Sequence, residues 1–325
     1  MTSAHPVPFN SLRCPQTGMP LEIAGNALAT SDGAHSYPIV SGVPILVADS
    51  LSICDADAIR AQGPPVVTVH WARRLVRRLL PSKTLTIGTK ERYAAFEQAL
   101  RERAHERRPL VLVVGGGQVG EGMSEFVKTP HLDLVETDIY LGTRVAIVCD
   151  GHHLPFADGT FDGVVIQAVL EHVLDPPRVV SEIHRVLGAG GIVYAETPFM
   201  QQVHEGPYDF TRWTETGHRR LFRMFDELDR GVVAGPSTTL LWALCYFARS
   251  LPSKRSSLSL VLEKVTAICF FWLKYLDRYL ISHPGATDSA SGVFFMGSKA
   301  DRAVSDSDVL AGYRGAVGRP LRRKG

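Results

Sequence analysis

Between positions 108 and 236, short hydrophobic runs alternate with stretches of helical periodicity. The runs predict five strands, at 110–114, 132–136, 145–149, 163–167 and 192–196. A nearly continuous apolar run such as 110–114 is typical of a parallel strand that is buried on both faces. Strands that alternate with helices imply crossover connections. We therefore predict an α/β fold built on a doubly wound, mostly parallel sheet.

The helices of this region have recognisable ends. Residues 89–107 form a charged amphipathic pattern that precedes the first strand. Asp175 followed by Pro176 supplies an N-cap and a first-turn proline, and Gly188 follows a helix that runs to Leu187. These signals predict a helix between the fourth and fifth strands.

The flanking regions have different patterns. Residues 1–50 contain short apolar runs and glycine turns, which predicts a small strand-rich module. Residues 51–107 are interpreted as a linker with helices, and the basic amphipathic stretch 71–80 as a packed surface helix or a membrane-surface patch. Residues 237–290 predict a helical insertion before a last strand at 291–298, and 301–325 a disordered basic tail.

Composition narrows the class of protein. A net charge of +2 with 21% charged residues gives no support for a nucleic-acid partner. The five cysteines are scattered without a C-x-x-C pair, which favours a reducing, cytoplasmic location. The N-terminus has no signal-peptide pattern, and the longest uncharged run, 231–248, is interrupted by glycine, proline and hydroxyl residues, so a spanning helix is not expected.

A glycine cluster directly follows the first predicted strand. Gly115, Gly117 and Gly120 have the spacing G-x-G-x-x-G, which is typical of a turn that binds a dinucleotide or a similar cofactor. Asp138, eighteen residues after Gly120, ends the second strand, and Asp150 follows the third. Because ligands bind at the carboxyl ends of strands in open sheets, both carboxylates are expected to contact the ligand.

Several motifs in order then resemble a known family. They are D-x-x-x-LPF at 150–156, FD at 161–162, AVLEHV at 168–173 and RVL-x-x-GG at 185–191. Together they are similar to the middle of class I S-adenosylmethionine-dependent methyltransferases, over about 108–225 and more weakly at 292–297. The resemblance implies a seven-stranded Rossmann-like sheet, S-adenosyl-L-methionine as cofactor and methyl transfer as activity.

The resemblance also implies roles for single residues. Gly115 and Gly117 would let the backbone approach the methionine part of the cofactor, and Asp138 would accept from the ribose hydroxyls. Beside the adenine the resemblance places Ile139 and Gly151, with Asp150 accepting from the adenine amino group; Gln167 would line the methyl-transfer pocket. Glu171 and His172 are open to two interpretations, a functional one and one of helix surface and packing.

Two departures from the family pattern bear on ligand binding. Family members usually have an acid where this chain has Val113, and the loss of one charge-assisted contact, worth on the order of 1.5–3 kcal/mol, would weaken cofactor binding without abolishing it. The N-terminal segments CPQTGMPLEI and YPIVSGVPIL resemble a zinc-ribbon-like module. Cys14 has no cysteine partner and His35 alone does not complete a site, so we expect no metal.

The loop after the fifth strand holds the candidate acceptor site. It is rich in polar and aromatic residues, and a similar H-x-x-P-Y-D-F-x-R segment occurs in one branch of the family. The predicted catalytic residues are His204, Asp209 and Arg212, and the predicted substrate contacts are Tyr208 and Trp213. His204 has the ordinary pKa range of a base at neutral pH. Asp209 and Arg212 are spaced to form a local ion pair that braces the loop.

The acceptor and the partners stay open at this point. A small metabolite, a sugar or a lipid-linked molecule is compatible with the pattern, whereas the motif of DNA amino-methyltransferases is missing. Residues 259–282 are expected to contact a membrane surface peripherally or to form a homodimer. The alternatives to an enzyme of this family are an NAD(P)-binding oxidoreductase, supported by the glycine spacing alone, and a non-catalytic methyltransferase-like binding protein.

Overall fold

The computed structural model describes residues 9–48, 52, 59, 82–104, 107–254, 256–316 and 318. The strands in this part of the chain are β1 (Leu21–Ala24), β2 (Ala27–Thr30), β3 (Ser36–Val40), β4 (Val43–Leu46), β5 (Leu110–Val114), β6 (Asp133–Asp138), β7 (Ile147–Cys149), β8 (Phe161–Gln167), β9 (Leu187–Pro198), β10 (Phe225–Ala234) and β11 (Gly292–Lys299). They form one sheet in the order β1-β2-β3-β4-β7-β6-β5-β8-β9-β11-β10.

The centre of the sheet is parallel. Strand β5 pairs in parallel with β6 on one side and with β8 on the other, and β7 and β9 extend these pairs outward. Strand β11 is antiparallel to both β9 and β10. The connections therefore leave β5 in opposite directions, so that the carboxyl end of β5 is the switch point at which ligands bind in open α/β sheets.

The first four strands continue this sheet beyond β7. Strand β4 is parallel to β7, with Ile45 opposite Val148 and Leu46 opposite Cys149. The described sheet accordingly has eleven strands, and the expected total of seven is wrong for it; the strands from β5 onward number seven. The physical reason is that β4 is apolar and buries Ile45 and Leu46 completely against its neighbour.

Helices cover both faces of the parallel strands. They are α1 (Thr89–Ala104), α2 (Pro176–Val186), α3 (Glu215–Leu221), α4 (Pro236–Ser250), α5 (Ser257–Phe270), α6 (Asp277–Leu280), α7 (Pro284–Asp288) and α8 (Asp306–Ala311). Along β5, Val111 and Val113 belong to one core cluster while Leu112 and Val114 belong to another. This alternation shows that the strand is buried on both faces, as its continuous apolar run predicted.

Of the segment 301–325, for which disorder was expected, the structure describes 301–316 and 318, and 301–316 are folded. Helix α8 begins after Ser305, whose hydroxyl accepts from the backbone N–H of Asp308. Further on, Arg314 donates to Glu227 at 2.8 Å and to the carbonyl of Arg230 at 2.9 Å. These ion-pair and backbone contacts dock 301–316 on β10. The predicted amphipathic stretch 71–80, and nearly all of 51–81, lie outside the described residues.

Candidate functional site

The glycine turn leaves β5 in a conformation that requires glycine. Gly115 has φ +77°, and a Cβ added to it would lie 2.3 Å from a methyl carbon of Val169. The backbone N–H groups of Gly115 and Gly116 donate to the carbonyl of Thr137, at 2.9 and 2.8 Å. The turn is thereby fixed to the end of β6, and it lies directly against the segment that follows β8.

Asp138, the last residue of β6, contacts this turn. Its Oδ2 accepts from the backbone N–H of Gly117 at 2.9 Å, and a Cβ at Gly117 would lie 2.6 Å from the same oxygen. A Cβ at Gly120 would lie 1.8 Å from Oε1 of Gln167. Asp138 and the following Ile139 are both half-buried. The structure thus brings the three predicted glycines together with Asp138 and Gln167.

Asp150 is already hydrogen-bonded on both carboxylate oxygens. Oδ1 accepts from the backbone N–H of His152 at 2.9 Å and lies 2.6 Å from Nδ1 of the same residue, while Oδ2 accepts from the hydroxyl of Ser52. Burial alone would raise the pKa of Asp150, but these hydrogen bonds bring it below its usual value. Gly151 is buried, and a Cβ there would make only ordinary contacts with Val179, 3.5 Å away.

Gln167 belongs to a buried polar network that the sequence analysis missed. Its Nε2 donates to Glu196 at 2.6 Å and to the carbonyl of Glu121 at 3.0 Å. Its Oε1 accepts from the hydroxyl of Tyr93 at 3.2 Å, and the hydroxyl of Tyr194 donates to Glu196. Burial raises the pKa of Glu196. The sequence offered one signal for this network, because Glu196 is an acid at the end of the apolar run 192–196, which lies in β9.

The acceptor loop is braced by the predicted ion pair. Arg212 donates to both oxygens of Asp209, with the contact to Oδ2 at 2.9 Å, and to the carbonyl of Gln201 at 2.9 Å. Asp209 also accepts from the backbone N–H of His204 at 2.8 Å. Burial alone would raise the pKa of Asp209, but the hydrogen bonds from Arg212 and His204 hold it well below its usual range.

The two aromatic residues of the loop have different environments. Tyr208 is 56% exposed, whereas Trp213 is partly buried and packs against the core cluster that contains Leu112. Tyr208 is therefore accessible to an acceptor. The packing of Trp213 gives it a structural role, and its predicted contact with a substrate stays a prediction.

His204 lies beside two residues whose role the sequence left open. The 3-10 turn Leu170–His172 follows β8, and the backbone N–H of Phe210 donates to the carbonyl of Glu171 at 2.8 Å, which holds the acceptor loop on this turn. The rings of His172 and His204 meet edge to face, with centroids 5.0 Å apart. Burial raises the pKa of Glu171 to about 8 and lowers that of His204.

Comparisons with known proteins find similarity to methyltransferases in the parallel part of the sheet. Residues 115–195 match the family described as methyltransferase domain. The chain is 48% identical over 150 residues to a ubiquinone/menaquinone biosynthesis C-methyltransferase, UbiE, of Desulfotalea psychrophila, covering 42% of this chain and 60% of that protein. It is 34% identical over 99 residues to a demethylmenaquinone methyltransferase of Symbiobacterium thermophilum, covering 28% of this chain and 36% of that protein.

Among solved structures, the chain is similar to a putative sarcosine dimethylglycine methyltransferase from Galdieria sulphuraria. The two share 13% identity over 67% of this chain and 93% of that one, with a TM-score of 0.40. The chain spans 60% and 36% of the length of the two curated relatives described above. The segment that matches the methyltransferase domain begins at the glycine turn and ends within β9, so the similarity covers the parallel centre of the sheet.

Proposed function

We propose that this chain transfers a methyl group from S-adenosyl-L-methionine to a small-molecule acceptor. The observation that supports it best is the glycine turn against Asp138 at the switch point of the sheet, within the segment that matches a methyltransferase domain. The residues present fit this cofactor, because the turn brings backbone close to a half-buried carboxylate and any side chain at Gly117 would collide with that carboxylate.

In this proposal Asp138 accepts hydrogen bonds from the ribose hydroxyls, and Ile139 packs beside the adenine. When bound, S-adenosyl-L-methionine supplies a methyl group that is ready for in-line displacement. Asp150 has two lone pairs on each oxygen, so it can accept from the adenine amino group while it keeps its bonds to His152 and Ser52. Gln167 lies at the carboxyl end of β8 and donates a hydrogen bond to Glu196, which fixes its side chain. In this proposal that side chain lines the methyl-transfer pocket.

The acceptor loop supplies the second half of the proposed site. Asp209 and Arg212 position the loop, and Tyr208 is exposed for contact with an acceptor. His204 stays the candidate base for an acceptor that must lose a proton. The relatives named for quinone biosynthesis favour a small-molecule or lipid-linked acceptor over a sugar.

Calorimetric titration with S-adenosylhomocysteine tests the proposed cofactor. We expect the wild-type chain to bind it and Asp138→Ala to weaken binding at least tenfold, about 1.4 kcal/mol, because the ribose hydroxyls lose their acceptor. Asp301→Ala, which removes an exposed carboxylate far along the chain, is the control and should bind like the wild type.

The same titration with NADH separates the oxidoreductase alternative. A wild-type chain that binds NADH and not S-adenosylhomocysteine would contradict the proposed function. Equal binding of S-adenosylhomocysteine by the wild type and by Asp138→Ala would remove Asp138 from the cofactor site.

A further inference from the structure

Three side chains with metal-ligating atoms converge where the acceptor loop meets the turn after β8. They are Glu171, His172 and His204, and one ligand atom from each lies within 4.8 Å of the other two. In the part of the chain that the structure describes, no other group of three such residues meets this distance. Glu171 and His172 come from the turn and His204 comes from the loop, so the group exists only because the two segments pack together.

The carboxylate of Glu171 is buried without a hydrogen-bond partner among the described residues. Its side chain is 1% exposed, and neither carboxylate oxygen has a hydrogen-bond partner among the described residues. Its Oε1 lies 3.6 Å from Nε2 of His172, beyond hydrogen-bond distance. Burying a polar group without a partner costs about 1–3 kcal/mol, and more when the group is charged. A cation bound between Glu171 and the histidines would remove this cost.

The two imidazoles are held in the form that binds metal ions. Nδ1 of His172 lies 2.7 Å from the carbonyl oxygen of Tyr208. A carbonyl can only accept, so Nδ1 carries a proton, and in the neutral ring Nε2 then keeps its lone pair. Nδ1 of His204 lies 3.3 Å from both the carbonyl of Gln202 and Oδ2 of Asp209. A metal-bound histidine commonly donates its other N–H to a carbonyl or carboxylate in this way.

We propose that Glu171, His172 and His204 bind a divalent first-row transition-metal ion. Two imidazoles and one carboxylate suit zinc and its neighbours in the series, and three protein ligands leave a coordination position open. Bonds of about 2.1 Å at tetrahedral angles put ligand atoms about 3.4 Å apart. Oε1 of Glu171 and Nε2 of His172 are already close to that separation, at 3.6 Å.

The histidines are also reachable from solvent. The side chains of His172 and His204 are 21% and 23% exposed, so an ion can reach the site from solvent. Behind them, Asp209 and Arg212 brace the acceptor loop and orient His204. From the sequence we expected no metal. That expectation rested on Cys14 and His35 near the N-terminus, and the three ligands proposed here lie elsewhere in the fold.

The metal site gives the acceptor site a different chemistry. On the proposed function, an acceptor oxygen would take the open coordination position, and the ion would lower the pKa of that oxygen. His204 would then be a ligand and a positioning residue. It would not be a base, since the ion occupies the Nε2 lone pair that a base needs.

Metal titration of the full chain, stripped with chelator and free of any affinity tag, tests the site. Co²⁺ is the optical probe and Zn²⁺ the calorimetric one. We expect one Co²⁺ per chain with visible ligand-field absorption, displaced by Zn²⁺. We expect Glu171→Gln and His204→Asn each to weaken binding at least tenfold, while the exposed control His131→Gln binds like the wild type.

The variants are matched so that misfolding cannot explain the result. Glu171→Gln keeps the shape of a buried side chain, and His204→Asn changes a partly exposed one, so circular dichroism should show both folded. The absence of ligand-field absorption, or equal affinity in all four proteins, would overturn the metal site. S-adenosylhomocysteine binding is measured on the same samples. If the wild-type chain does not bind S-adenosylhomocysteine, the proposed function is overturned, whereas the metal site is judged by the metal titration alone.

Discussion

At the scale of single residues, His218 makes the stability of this chain depend on pH. It lies in α3 at 1% exposure, and its Nε2 has no hydrogen-bond partner among the described residues. Burial lowers the pKa of His218 to about 3, because a charged imidazole there would lose its hydration. The folded chain therefore keeps this ring neutral at pH values where the unfolded chain protonates it.

The sign of the effect follows from these two states. Above pH 6.5 neither state protonates His218, and the stability is complete. As the pH falls from about 6.5 towards 3, the unfolded state binds the proton and stability is lost at about 1.4 kcal/mol per pH unit. Between pH 7 and pH 5, urea denaturation should show that the unfolding free energy of the wild type falls by about 2 kcal/mol more than that of His218→Leu.

The exposed His131 provides the control for this measurement. His131→Gln should keep the wild-type dependence of unfolding free energy on pH. Parallel curves for the wild type and His218→Leu would show that His218 does not cause the acid sensitivity.

Val113, which stands where family members usually have an acid, lies beside a carboxylate of the neighbouring strand. Val113 is buried, and on the paired strand β6 its register partner is Glu136, whose carboxylate pairs with Arg144. Burial raises the pKa of Glu136 despite that pair. The carboxylate of Glu136 thus lies next to the glycine turn on the neighbouring strand, but it already forms an ion pair with Arg144.

At the scale of elements, Asp277 positions the helical insertion. Its carboxylate is fully buried and accepts from the backbone N–H groups of Ser237 and Thr238, at 2.8 and 2.9 Å, in the first turn of α4. These N–H groups have no partner within the helix, so a carboxylate there acts as a cap supplied from another element. The contact joins the start of the insertion to α6.

We expect Asp277→Ala to lower the free energy of unfolding by about 1–3 kcal/mol, because two buried N–H groups lose their acceptor. Asp277→Asn retains one acceptor oxygen and should lose less. Urea denaturation measures both, with the exposed Asp301→Ala as control. A wild-type midpoint for Asp277→Ala would refute the capping role.

Strand β10 was missed because its local pattern does not resemble a strand. Its sequence FDELDRGVVA contains four charged residues, and its burial alternates irregularly. It pairs only with β11 and so lies at the edge of the described sheet. Arg230 on this strand is buried against Glu215 of α3, 3.0 Å away, which compensates for charge inside the fold. That compensation depends on the tertiary structure.

At the scale of the whole molecule, the insertion leaves a large apolar surface uncovered. The exposed apolar side chains of α5 and the segment after it are Leu258, Leu260, Val261, Val265, Ile268, Phe270, Phe271, Trp272, Tyr275, Leu276 and Tyr279. In the part of the chain that the structure describes, no helix combines the length and hydropathy needed to cross a bilayer. Exposed apolar patches of this kind mark protein or membrane contacts.

We expect this surface to bind anionic liposomes or a second copy of the chain. Val265→Glu with Ile268→Glu should abolish whichever association occurs, because charges then lie in the contact, whereas Ala303→Glu, an exposed change elsewhere, should not. Liposome co-sedimentation at low and high salt and sedimentation equilibrium measure the two. A wild-type chain that stays monomeric and unbound in both would refute the expectation.

The sequence by itself determined the central strands, the helix α2 and the order of the motifs. Strand β5 has the predicted bounds, and α2 begins after the predicted cap Asp175. These features depend on local information: apolar runs, turn glycines and caps act within a few residues. The glycines and Asp138 were predicted together for a different reason, because the motif specifies their spacing along the chain.

The tertiary structure decided the remaining features, because they depend on contacts between distant segments. Three features depend on a partner segment that a local sequence pattern does not predict. They are the pairing of β4 with β7, the docking of 301–316 and the formation of strand β10. The same holds for Glu171 and His204. The sequence predicted His204 as a base and left the role of Glu171 open. Only the packing of the acceptor loop on the turn after β8 buries the carboxylate and brings the histidines to it.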